Sequence, residues 1–122
     1  MVNLEPLAAQ AGCKMVHKGA DHNMITKALM VVAEQGIYAL GIFLKVQKEE
    51  NKASAIHQAL FNFVLDAKLL AAGQFKQNCI DMGFYQQLVE GHDANSIGRI
   101  LLTKQALELA LTYGRYHAKA EG

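Results

Sequence analysis

Residues 51–73 read NKASAIHQALFNFVLDAKLLAAG, and through them Ile56, Leu60, Phe63, Val64 and Ala67 return to one side of a helix. Gly73 marks its expected end. The same periodicity extends outward in both directions. A first helix is expected over residues 4–18, with Asn3 as its cap and Pro6 in the first turn, where a missing N–H does least harm. A second is expected over 23–35, with Met24, Leu29, Val31 and Val32 turned inward, and Gly36 ends or kinks it. Ile37, Leu40, Phe43 and Leu44 then make a third apolar stripe, and FKQNCIDMGFYQQLVEG, residues 75–91, makes a shorter helix. GHDANSIG, residues 91–98, reads as a loop because its Gly, Asp, Asn and Ser favour turns, and Thr103 is an acceptable cap from which the last helix restarts. Alternating β-branched runs joined by Asn-Gly or Asp-Gly turns do not occur. The expectation is an all-α fold: a compact single-domain bundle of five or six helices, with close crossings at Gly36, Gly41 and Gly114.

The last helix, LLTKQALELALTYGRYHAKAEG (residues 101–122), carries more apolar surface than docking requires. Leu107, Leu111, Gly114 and Ala118 form one stripe, while Leu109, Tyr113, Tyr116 and Ala120 form another about 200° away. The first is expected to face the core and the second a partner. Between them run Lys104, Glu108, Thr112, Arg115 and Lys119, a solvated strip with a basic C-terminal end, as the helix dipole favours.

Composition narrows the function classes. The 122 residues are 52% hydrophobic and 19% charged, richer in apolar groups than an average soluble domain, so part of the surplus is expected on protein contacts. IYALGIFL and ALMVVA are far shorter than the roughly 20 residues that cross a bilayer, and no basic segment precedes an apolar core at the N-terminus. A cytoplasmic protein without membrane contact is expected. Cys13 and Cys79 read as small buried hydrophobes. Cys13 and His17, four apart, with His22 nearby, are the best metal candidates, yet a closed site needs a fourth ligand and none is near, so no metal is expected. His57 and His117 sit in apolar-patterned helices, where packed, hydrogen-bonded roles dominate. Glu49 and Glu50, adjacent on a helix, point about 100° apart and cannot converge as an acid/base pair. Neither Ser54 nor Ser96 lies in a nucleophile motif, and no phosphate-cradling loop is present. No catalytic residue and no cofactor is expected.

What remains is cationic. Lys14 and Lys18 stand four apart on the first helix, Lys45, Lys48 and Lys52 cluster at the end of the third, and Arg115 and Lys119 stand four apart on the last. Each group alone reads as a solvated face. If they converge, they make a phosphate track of the kind that binds RNA without regard to sequence.

Two segments resemble a known pattern. GIYALGIFLKVQKEE, residues 36–50, has a Gly-apolar start running into Phe-Leu-Lys, and the terminal helix reads Leu-Thr-x-x-Ala-Leu, an aromatic, basic residues and Ala-x-Ala. Both are similar to the small all-helical subunit of the type III-B (Cmr) CRISPR effector complex. The chain departs from that pattern where Tyr113 stands closest to an expected tryptophan and Gly114 replaces a larger apolar residue. The resemblance implies a non-catalytic scaffold that stacks with copies of itself along a ribonucleoprotein filament, meets its backbone and large subunits, and helps hold guide and target RNA. It carries RNA contact to Lys45 and Lys48 in the first segment and to Arg115 and Lys119 in the second; Lys14 and Lys18 join them from the charge pattern alone. The rival readings are a helical homo-oligomerising adaptor without RNA contact and, more distantly, a small enzyme using His17 or His117.

Overall fold

The computed structural model describes residues 4–67, 80, 82–90 and 94–121. Asn3, Gly73, Cys79 and the first three residues of the expected 91–98 loop lie outside them. Six helices occur among the described residues, with no strand: α1 Leu4–His17, α2 His22–Gln35, α3 Ile37–Lys45, α4 Glu50–Asp66, α5 Met82–Val89 and α6 Ala94–Glu121.

Local chemistry explains most of the boundaries. Asp21 caps α2, its carboxylate accepting the Met24 N–H at 2.9 Å. Gly36 separates α2 from α3 rather than serving as a crossing point: its N–H donates to the Val32 carbonyl, its own carbonyl accepts from Leu40, and nothing lies within 4 Å of where a Cβ would stand. Its φ of +98° is one that side-chain-bearing residues rarely adopt, so glycine makes the corner. α4 ends at Asp66 rather than running on to Gly73, and the Ala67 N–H bonds back to the Phe63 carbonyl.

The 91–98 loop expectation fails for residues 94–98, which are the first turns of α6. Arg99 Nη2 donates to the Glu90 carbonyl at 2.7 Å and ties this start to the end of α5. Local turn propensity is a weak preference that such a tertiary tie overrides. Nor does the helix restart at Thr103. That residue is fully buried, and its hydroxyl donates to the Arg99 carbonyl one turn back at 2.8 Å, which satisfies it inside a continuous helix.

α6, 28 residues and hence about 42 Å long, is the spine. Thr103, Ala106, Leu107, Ala110, Leu111, Gly114 and Ala118 form its buried stripe, and α1 and α2 pack along it. The crossing of α1 is unusually tight: a Cβ on Gly12 would lie 2.5 Å from the Gly114 nitrogen, and one on Gly114 would lie 2.6 Å from Met15 Sδ. α4 packs against α1 and is buried over most of its girth, from Ala53 to Val64. Beside it α5 brings Phe84 and Tyr85 onto His57 and Phe61, with the Phe61 and Phe84 rings 4.8 Å apart and His57 edge-on to Phe84. His57 is fully buried with Nδ1 2.8 Å from the Tyr85 hydroxyl, a packed and bonded histidine. Gly41 lets Tyr85 approach α3, since a Cβ there would come within 2.6 Å of the ring.

Gly114→Leu should therefore overfill the α1–α6 crossing and lower stability by about 1–3 kcal/mol or more, read as a lower urea midpoint with helix content retained. Gly98→Ala, where nothing lies within 4 Å, serves as the control and should raise or leave the midpoint unchanged.

Candidate functional site

Burial of one side of each helix leaves an apolar surface bare. Tyr38, Ile42 and Val46 follow an i, i+4, i+8 spacing along the outer edge of α3, at 43%, 46% and 69% exposure. Next to them a groove of about 410 Å³ runs between α3, α5 and α6, walled by Ile37, Tyr38, Val89, Ile100 and Leu101 with Lys104 at its edge. Leu102 is also exposed. Gln35 is shared with a second hollow of about 260 Å³ formed by α2 and α3 around Met30, Val31 and Phe43. The two hollows meet at Gln35.

The C-terminal stripe expected to face a partner divides. Leu109 is half-buried against the core, and Tyr113 packs at the α1 crossing, its hydroxyl donating to Glu5 Oε1 at 3.0 Å. That bond to a carboxylate holds the phenol proton and pushes the Tyr113 pKa up. Tyr116 and Ala120 are exposed. Tyr113 therefore faces α1, because the close glycine contact draws the two helices together beside it.

Lys14, Lys18, Lys45, Lys48, Arg115 and Lys119 are all exposed. Two of these groups meet. Lys18 borders a shallow hollow with Asn51, Ser54 and Gln58, donating to Gln58 Oε1 at 2.9 Å, and Asn51 also borders an adjoining hollow with Lys48, Glu49 and Lys52. The end of α1 and the α3–α4 connection thus converge on the start of α4. Lys52 does not serve as a free cation there: it bridges Asp21 at 2.6 Å and Glu49, joining the cap of α2 to α4. Those bonds push the Lys52 pKa up, while Lys52 and the Met24 N–H hold the Asp21 carboxyl below its usual range. Lys18, Lys48 and Lys52 stand against Asp21, Glu49 and Glu50, so the corner is balanced in charge. No hydrogen bond or ion pair among the described residues joins Arg115 or Lys119 to it.

Cys13 is half-buried while His17 and His22 are exposed, and among the described residues no three His, Cys, Asp or Glu side chains converge as metal ligands. No helix among them is long and apolar enough to cross a membrane. The sequence pattern missed the α3 edge, although its signal was present: of the nine residues of α3 only Lys45 is charged, so a helix with one side buried had to show apolar groups on the other. Comparison of the chain with family models, curated proteins and solved structures finds no significant match.

Tyr113→Ala should lower the urea midpoint, whereas Tyr116→Ala should leave it unchanged, because only Tyr113 bonds across the crossing. The Lys52 bridge has a pH signature. A depressed Asp21 pKa stabilises the fold above its unfolded value near 4, and this is lost as pH falls through the folded value. The deficit of Lys52→Ala relative to the native chain should be small and constant from about pH 5 to 9, then shrink as pH falls below about 4, in urea melts at each pH.

Proposed function

We propose that the chain is the small, non-catalytic subunit of an RNA-guided effector complex of the type III-B (Cmr) class, docking on filament neighbours through its apolar face and touching RNA through its cations. One observation carries the reading. Tyr38, Ile42 and Val46 in the first of the two segments that bear the resemblance, and Leu101 and Leu102 at the start of the second, are five of the seven large hydrophobic side chains exposed among the described residues. Surface apolar groups gathered on one side mark a protein contact rather than a solvated face. The α3 edge then runs directly into exposed Lys45 and Lys48, which suits a subunit wedged between protein neighbours and a phosphate backbone. Backbone and large subunits, further copies of the chain, and guide and target RNA are the partners in this reading, with target cleavage left to other subunits.

The adaptor reading without RNA contact draws its support from the balanced corner, where Lys52 is held by two carboxylates. Affinity for single-stranded RNA against salt separates the two. The free chain should bind weakly and without base preference, and reversing Lys14, Lys18, Lys45, Lys48, Arg115 and Lys119 to glutamate should flatten the plot of log affinity against log salt by about 0.7 for each phosphate no longer neutralised. Reversing Lys68 and Lys76, which belong to no cluster in the sequence, should flatten it less for each charge reversed. Equal flattening per reversed charge by both sets means that general charge binds the RNA; no salt-dependent binding at all favours the adaptor.

A further inference from the structure

We infer that α2 carries a two-fold self-association surface whose occupant is the α2 helix of a second copy, running antiparallel. Lys27, Met30, Val31 and Glu34 are spaced i, i+3, i+4, i+7 and make one stripe beside the core-facing Met24, Ile25, Ala28 and Val32. Met30 stands 54% exposed at the rim of the hollow of about 260 Å³ that Val31 and Phe43 help to form. A protruding thioether beside a hollow of its own making is the shape of a contact that fits itself.

Charge sets the direction. Lys27 and Glu34 line the same hollow, both exposed, and neither forms an ion pair with any described residue, although Lys52 and Lys104 elsewhere are paired. A two-fold axis between positions 30 and 31 brings Lys27 against Glu34 of the partner subunit, and Glu34 against Lys27 of the partner subunit. The same axis brings Met30 against Val31 of the partner subunit. A parallel pairing in register would instead oppose Lys27 to its own copy and Glu34 to its own copy, which is repulsive. An unlike protein partner is not called for by this pattern, because the stripe already supplies both members of each pair.

The inference stands independently of RNA contact. A two-fold contact uses the same patch on both copies and closes on itself, whereas stacking along a filament is head-to-tail and stays open. The hollow shares Gln35 with the α3 groove, so the dimer covers part of the apolar surface described above and would be the form of the chain on its own.

Sedimentation equilibrium of the full chain, with circular dichroism to confirm folding, tests it through charge reversal. Lys27→Glu and Glu34→Lys should each weaken dimerisation roughly tenfold, because each replaces two attractions by two repulsions. The double variant Lys27→Glu with Glu34→Lys should restore it, and Met30→Lys should abolish it. A chain that remains monomeric at millimolar concentration, or a dimer indifferent to all four variants, overturns the inference. The double variant keeps the net charge, so its RNA affinity, measured alongside, reports separately on the RNA reading.

Discussion

The fold depends on one place where two helices cross with almost no side chain between them. At Gly12 and Gly114 the backbones of α1 and α6 come close enough that a methyl on either would meet an atom of the other helix within 2.7 Å. Close approach multiplies weak dispersion contacts along the flanking Ala8, Ala11, Met15, Leu107 and Leu111, all buried. It also explains why glycine stands at 114: the space a side chain would take is occupied by Met15 and by the backbone at Gly12. With α1 seated, α2 takes the next stretch of the spine and α4 closes over α1.

What is left uncovered follows from that arrangement. α4 has neighbours around most of its girth, and its alternating small and large residues are buried accordingly. α3 has nine residues, packs against α2, α4 and α5, and has no described element on its outer side, so its uniform apolar composition becomes exposed surface. At roughly 25 cal/mol per Å² of apolar area removed from water, such an edge is a standing drive toward association. Polar composition there would have cost the monomer nothing, which is why the pattern reads as a contact surface.

The elements that depend on local periodicity were legible in the sequence: the α4 stripe from Ile56 to Ala67 and the α6 stripe from Leu107 to Ala118 are buried as spaced. So were the crossings at Gly41 and Gly114. Gly12 was not, because a lone glycine in a helix signals close approach only once its opposite number is known. Residues 94–98 misled because turn propensity is local, while the bond from Arg99 to Glu90 that holds the start of α6 spans two elements. Tyr113 and Lys52 misled in the same way: both look like surface groups from their own helices, and both are claimed by carboxylates, Glu5 and Asp21, contributed by others.

The balance of forces bears on how such a chain could touch RNA. With a formal net charge of +1, and with one cation of the α4 corner already held by Asp21 and Glu49, a single copy presents little excess positive charge to a phosphate backbone. Each contact is worth little at physiological salt, because counterion release scales with the number of phosphates neutralised. Adding copies changes that arithmetic. If, as proposed, the apolar edge of α3 and α6 fixes a copy against a neighbour, its remaining cations would act at the effective concentration set by the assembly, and their contributions would accumulate without further loss of translational freedom. In the proposed arrangement the hydrophobic face would supply most of the affinity and the lysines position. A chain built this way has reason to be rich in apolar residues and nearly neutral, whereas a domain that had to hold RNA alone would need a larger excess of positive charge.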